Sequence, residues 1–238
     1  MMLNIKLYAD GAKIDEISAL AEKDSIAGFT TNPTLMKAAG VTDYIAFAIA
    51  ALRVTDGKPI SFEVFSDDFE EMKAQAILLS GLAENVYVKI PVTNTKGVFA
   101  GPLITDLARA GVKLNITAVF TIQQVTDVVA ALYDSEADTP SIVSVFAGRI
   151  ADAGVDPEPH MKAASCIVKS IPNCELLWAS PREVLNVLQA DAVGCDIITA
   201  TPAILKKLET SYGKDLEQFS LETVQMFYND AKAAGYSL

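Results

Sequence analysis

Short alternating runs recur along this chain, each followed by a longer stretch with helical spacing. Ile5-Lys6-Leu7-Tyr8-Ala9-Asp10 alternates with a period of two and ends on an acid before Gly11, so it reads as a strand. Ile14, Ile17, Leu20 and Ala21 then share one helical face. The same succession repeats. Strands are expected at 26–29, 60–64, 86–91, 112–117, 141–146, 175–178 and 195–198. Helices are expected over 35–52 (broken near Gly40), from Asp67 or Asp68 to 82, and over 97–110, 121–133 and 157–171. Pro181 and Pro202 are each placed to open a further helix, and a long connection runs through Gly148, Arg149 and Gly154. Eight strands alternating with eight helices, one pair per about thirty residues, predict a (β/α)8 TIM barrel of the α/β class. The reading is one domain over 1–238, with 215–238 as a C-terminal helical extension. The competing architecture, a doubly wound open sheet, usually carries a glycine-rich first turn, and none stands here.

The same alternation sorts the side chains into two sets. In the third strand Ser61 and Glu63 oppose Ile60, Phe62 and Val64; in the fourth Tyr87 and Lys89 oppose Val86, Val88 and Ile90. Lys113, Asn115 and Thr117 oppose Val112, Leu114 and Ile116, and Ser144 and Phe146 oppose Val143 and Val145, with Ile142 joining the inner set. The apolar set is expected to face the helices and the polar set to line the barrel interior. A barrel works at the C-terminal ends of its strands. Those ends carry Asp10, Asn32, Glu63, Lys89, Asn115 with Thr117, Ser144 with Phe146, and Ser180 with Arg182.

Enclosing a lysine disfavours its charged form, which is what an imine-forming amine requires. Lys89 with two carboxylates nearby therefore suits Schiff-base chemistry, one carboxylate relaying protons through a water and the other serving the breaking carbon–carbon bond. Two plainer readings compete: Lys89 snorkels to solvent, or Asp10, Glu63 and Lys89 form a buried ion network, which gains little stability for its desolvation cost.

Composition narrows the classes. Of 238 residues, 51% are hydrophobic, ample for a large core. The net charge of −11 speaks against a nucleic-acid partner. The start MMLNIKLYADG has neither a long apolar run nor a basic flank, so no signal peptide is expected. No apolar stretch nears the roughly eighteen residues of a membrane span. Cys166, Cys174 and Cys195 are too few and too irregular for a disulfide framework or zinc site, and a reducing cytoplasm is the expected compartment. One histidine, His160, excludes a multi-histidine metal centre. Only four arginines are present (Arg53, Arg109, Arg149 and Arg182), and two of them follow adjacent strand ends. In an acidic protein such a local pair is an anion-binding candidate. The competing role for Arg149 is an ion pair with nearby Asp152.

The runs Ala27-Gly28-Phe29-Thr30-Thr31-Asn32-Pro33-Thr34, Tyr87-Val88-Lys89-Ile90-Pro91-Val92, Asn115-Ile116-Thr117, Val143-Ser144-Val145-Phe146-Ala147-Gly148-Arg149-Ile150 and Ala179-Ser180-Pro181-Arg182 resemble the transaldolase family. The chain is similar in length to the short branch that also includes fructose-6-phosphate aldolase-like enzymes. The resemblance implies Lys89 as the Schiff-base lysine, Glu63 as the proton-relay carboxylate with Thr117 holding its water, and Asp10 as the acid–base group at the carbon–carbon bond. It further implies that Asn32, Asn115 and Ser144 hold the dihydroxyacetone moiety, with Phe146 beside it. Arg149, Ser180 and Arg182 would bind the sugar phosphate. Neither a metal nor an organic cofactor is implied.

Two positions depart from the family pattern. Val145 stands where many transaldolases have proline, and Pro181 where an aromatic is usual. The resemblance implies dihydroxyacetone transfer from a ketose phosphate (sedoheptulose 7-phosphate or fructose 6-phosphate) to an aldose phosphate (glyceraldehyde 3-phosphate or erythrose 4-phosphate), as in the pentose phosphate pathway. It also implies a homo-oligomer, as the short branch tends to form decamers. One rival activity is a fructose-6-phosphate aldolase using free dihydroxyacetone. That subgroup carries glutamine at the third-strand carboxylate and tyrosine at the sixth-strand aromatic, where this chain has Glu63 and Phe146. The other rival is a non-catalytic phosphate-binding barrel.

Overall fold

The computed structural model describes residues 3–237. Eight parallel strands close into a barrel in sequence order. They are β1 (Lys6–Asp10), β2 (Ile26–Thr30), β3 (Ile60–Glu63), β4 (Val86–Pro91), β5 (Leu114–Val119), β6 (Ser141–Val145), β7 (Cys174–Trp178) and β8 (Ile197–Ala200). Between them run α1 (Ile14–Ala21), α2 (Pro33–Ala38), α3 (Tyr44–Val54), α4 (Phe69–Ser80), α5 (Gly101–Arg109), α6 (Ile122–Tyr133), α7 (Ala147–Asp152), α8 (Pro157–Val168) and α9 (Leu185–Ala192). After β8 come α10 (Pro202–Ser211) and α11 (Leu216–Ala233). The chain divides into two compact units, Met1–Leu205 and Lys206–Leu238. In the second, Asp215 caps α11 by accepting from the Gln218 amide at 2.9 Å, and no described residue of α11 is buried. No helix among the described residues is long and apolar enough to cross a membrane.

The alternation places the core. Ile60, Phe62, Val88, Ile90, Leu114, Ile116, Val143, Leu176 and Trp178 are buried, and helices α4, α5, α8 and α9 pack on β4, β5, β7 and β8. Phe62 meets Phe47 of α3 edge to face at 6.4 Å. Burying each such side chain contributes roughly 1.5–3 kcal/mol. Inside the barrel a second cluster forms from Tyr8, Ile142, Leu177, Ala179 and Ile197, with Ala27, Tyr87 and Phe146 against it. This apolar plug is a floor beneath the polar strand ends. It exists because Gly28 has no side chain: a Cβ there would lie 2.5 Å from the Tyr8 ring.

Several boundaries differ from the sequence expectation, each for a local reason. The connection after β6 contains α7, a short helix whose start at Ala147 follows the strand directly. Helix α5 begins at Gly101 and not at 97, because Thr93 and Phe99 pair as an antiparallel bridge around Gly97, which has φ +75°. Pro181 does not open a helix. The Asn186 side chain accepts from the backbone amides of Arg182 and Glu183, holding a turn ahead of α9. Strand β5 runs on to Val119 through an irregularity at Ala118, whose φ is +58°. Thr121 opens α6 as expected, with a reciprocal capping box to Gln124.

Candidate active site

At the C-terminal ends of the strands a cavity of about 420 Å³ is lined by Asp10, Asn32, Glu63, Lys89, Thr117, Ser144, Phe146, Arg149 and Ser180, among others. These residues come from seven strands or the segments that follow them, and barrel closure alone brings them together. Lys89 is 6% exposed. Its Nζ lies 2.9 Å from Glu63 Oε2 and donates to the Thr31 carbonyl, also at 2.9 Å. Two acceptors thus fix two of the amine's directions, leaving a third for the cavity it lines. Glu63 and Lys89 face each other because β3 and β4 pair with these two residues in register. Lys113, the other inner-face lysine of the central strands, donates to the Glu84 carbonyl at 2.7 Å and lies over the Tyr87 ring. It does not line the cavity. The thiols of Cys174 and Cys195 are pushed up to about 12, chiefly by burial, so neither is a thiolate near neutral pH.

Asp10 accepts from Thr30 Oγ1 at 2.8 Å. Burial raises its carboxyl above the ordinary carboxylate range. The Lys89 charge and the Thr30 hydrogen bond oppose that rise, the Glu63 charge adds to it, and desolvation prevails. Thr199 of β8 bonds in turn to Thr30, so a two-threonine relay holds Asp10. Level with Lys89 in the β4–β5 register, Asn115 Oδ1 accepts from Ser144 Oγ at 2.6 Å, and Asn115 Nδ2 donates to Ser61 Oγ at 3.0 Å. Asn115 is wholly buried and is not among the cavity-lining residues; what it presents upward is Ser144. Thr117 Oγ1 is buried without a hydrogen-bond partner among the described residues, and Thr117 lines the cavity. Asn32 spends its amide oxygen capping α2, accepting from Leu35 N at 3.0 Å, which leaves its amide NH2 as the donor it can offer.

The two arginines separate. Arg149 lines the cavity with its guanidinium 5.3 Å from the Phe146 ring centre. Arg182 instead forms a two-pronged pair with Asp152: Nε donates to Oδ1 at 3.0 Å and Nη2 to Oδ2. The ion pair with Asp152 that competed with anion binding as a role for Arg149 is instead made by Arg182, which also holds the Asp152 carboxyl below its usual range. Phe120 stacks obliquely on Phe146, 5.6 Å between centres, and so backs the Arg149 wall. A larger cavity of about 670 Å³ opens at the other end of the barrel, near Ser141 and Cys174. Its arginine, Arg109, is committed to the carbonyls of Asp134 and Ser135.

A family model described as Transaldolase/Fructose-6-phosphate aldolase matches residues 7–238. This chain belongs to that family. Among curated relatives, one from Ruegeria sp. is 32% identical over 235 residues, covering 98% of this chain and 100% of the relative. Another from Bartonella tribocorum is 31% identical over 240 residues, with the same coverage. Both are named probable transaldolase. Solved structures match in fold alone. Orotidine 5'-monophosphate decarboxylase from Metallosphaera sedula is 10% identical with a TM-score of 0.56, covering 87% of this chain and 95% of that one. Thiamine phosphate pyrophosphorylase from Pyrococcus furiosus is 10% identical with a TM-score of 0.52, covering 84% and 87%.

Sequence reasoning did not single out four groups that contact the expected site residues: Thr30 against Asp10, Thr199 against Thr30, the Thr31 carbonyl against Lys89, and the Tyr44 hydroxyl against the Glu63 backbone. Parity does place Thr30 on the inner face beside Asp10. No local pattern marks a backbone carbonyl or a tyrosine reaching in from a helix.

Proposed function

We propose that the protein is a transaldolase, moving a dihydroxyacetone unit from a ketose phosphate such as fructose 6-phosphate or sedoheptulose 7-phosphate to an aldose phosphate such as erythrose 4-phosphate or glyceraldehyde 3-phosphate, through an imine on Lys89. The observation that carries this reading is the enclosed amine of Lys89, 2.9 Å from Glu63 Oε2, in one cavity with Asp10, Thr117 and Ser144. The neutral amine adds to the substrate ketone carbon, and the resulting carbinolamine loses its hydroxyl as water. Glu63 supplies and recovers the protons of that step, through a water that the otherwise unpartnered Thr117 hydroxyl would hold. Asp10 takes the proton from the hydroxyl on the fourth carbon as the bond between the third and fourth carbons breaks. The bonding electrons move into the imine to give an enamine, and an aldose phosphate leaves. The acceptor aldehyde then adds to the enamine, Asp10 returns a proton to the new alkoxide, and water releases the product from Lys89. A carboxyl raised by burial, like that of Asp10, is suited to both halves of this exchange.

Arg149 is the proposed primary phosphate contact, since it lines the cavity while Arg182 is matched to Asp152. Ser144, Asn32 and, through Ser144, Asn115 would orient the dihydroxyacetone hydroxyls. Glu63 and Phe146 favour transfer over release of free dihydroxyacetone: Phe146 has no hydroxyl with which to donate a proton to the enamine.

Borohydride with fructose 6-phosphate should add the mass of a reduced dihydroxyacetone or hexose phosphate adduct at Lys89, and Lys89→Ala should abolish both adduct and turnover. An adduct that persists in Lys89→Ala and maps to Lys113 would overturn the assignment. Cleavage of fructose 6-phosphate to free dihydroxyacetone faster than transfer to erythrose 4-phosphate would replace the transferase with the aldolase.

A further inference from the structure

Where β2 leaves the sheet, the ladder beside Glu63 loses its partner strand. The two strands pair only as far as Thr30 with Ser61. The Phe29 amide donates to the Pro59 carbonyl at 2.8 Å and the Thr31 amide to the Ser61 carbonyl at 3.2 Å, so the odd-numbered residues of β3 point their backbone groups toward β2. Even-numbered residues turn the other way: Val64 N donates to the Lys89 carbonyl at 3.1 Å. Glu63 is the next odd residue, and its N–H and C=O face a strand that has already become the cap of α2. The carbonyl that would continue the ladder, Thr31 O, is taken by Lys89 Nζ. Both Glu63 groups are met by one atom. Tyr44 Oη accepts from the Glu63 amide at 2.9 Å and donates to the Glu63 carbonyl at 2.7 Å.

We infer that Tyr44, the first residue of α3, is a positioning residue for the proton-relay carboxylate: its hydroxyl replaces the missing strand and fixes the backbone from which Glu63 reaches Lys89. The inference rests on the imine reading above. A phenol suits the task because it donates one hydrogen bond and accepts another from a rigid ring. The ring is placed by the start of its helix and by one aromatic neighbour. Asp43 caps α3 by accepting from Ala46 N at 2.9 Å, and Phe65 lies 5.4 Å from the Tyr44 ring centre. Burial raises the phenol above its ordinary range, so it stays protonated and able to donate. Diverting Thr31 O to the lysine and substituting a hydroxyl for it are two halves of one arrangement. The same gap in the sheet thereby orients both the amine and its carboxylate.

The test is a double-mutant cycle on imine formation. Tyr44→Phe keeps the ring and removes both hydrogen bonds. It should slow borohydride-trapped adduct formation with fructose 6-phosphate, and lower kcat, by about tenfold or more, a loss typical of a misplaced catalytic group. KM should change by less than about twofold, the scatter of independent sites. In a Glu63→Gln background, Tyr44→Phe should slow trapping by no more than that same factor of about two. Equal losses in both backgrounds, or undiminished trapping in Tyr44→Phe, would overturn the inference. Should Tyr44→Phe fail to fold, 4-aminophenylalanine at position 44 decides: its weaker acceptor should slow trapping in the Glu63 protein and not in Glu63→Gln. Trapping absent from the unmodified protein would sink the imine reading and this inference with it. Trapping that is present but insensitive to position 44 sinks this one alone.

Discussion

Asp10 pays for its position in stability. Its carboxyl is raised by burial, against the pull of Lys89 and Thr30. Between its ordinary range and the raised one the folded chain holds a proton that the unfolded chain has released. Unfolding in that window therefore sheds protons, and stability falls as pH rises through it, then stays reduced above it. Asp10→Asn removes the titration. Its melting temperature should exceed that of the unmodified protein at about pH 8 and match it at about pH 3, where both side chains are neutral. Each kcal/mol recovered is worth about 2–4 °C in a chain of this size. Differential scanning calorimetry at the two pH values checks this, and an equal shift at both would show that the effect is not Asp10's ionisation. Turnover should be lost in the same variant, since an amide cannot exchange the proton.

The elements meet most tightly where α7 crosses the end of β7. A Cβ at Gly148 would stand 1.5 Å from the Ser180 carbonyl oxygen, a backbone atom with nowhere to go. The Gly148 amide also donates to the Ala179 carbonyl at 3.2 Å, and Ser180 itself sits at φ +59°. Arg149, the next residue, lines the cavity. Gly148→Ala should destabilise the fold by about 1–3 kcal/mol, as overpacking does. It should also raise KM for fructose 6-phosphate more than for fructose. A denaturant midpoint that does not move would show that α7 gives way freely. The Arg182–Asp152 pair lies on the same helix and loop. Its two-pronged geometry holds the last residue of α7 against the turn before α9.

At the scale of the whole molecule, the barrel covers its polar strand ends on an apolar floor, whereas α11 exposes its apolar residues. Leu216, Leu221, Val224, Phe227 and Tyr228 are each at least 50% exposed. A contiguous apolar helix face of that kind marks an association surface more often than a solvated one. We propose that this face joins copies of the chain in a homo-oligomer. Static light scattering should return a mass several times the 25.4 kDa of one chain, and Phe227→Glu should lower it. A monomer at micromolar concentration would refute the proposal.

Much of this was legible in the alternation of residues. The two-residue period is a local property of extended chain, so it assigned Glu63, Lys89, Asn115, Thr117 and Ser144 to the interior before any contact was known. The eightfold repeat of strand and helix called for a parallel sheet covered by its own helices, and the absence of a glycine-rich first turn favoured the closed barrel over an open doubly wound sheet. Boundaries were less legible where a few residues fold on themselves. The bridge from Thr93 to Phe99 and the short helix after Phe146 depend on backbone hydrogen bonds that no periodicity displays. Partner choice was not legible at all. Asp152 lies three residues from Arg149 in sequence yet is paired with Arg182, because α7 turns it toward the loop after β7. Tyr44 meets Glu63 only because β2 leaves the sheet early and α3 starts opposite the gap. Sequence determined which side chains enter the barrel, since that follows from the geometry of one strand. The tertiary structure decided which groups they bind, since that depends on where separate strands end relative to one another.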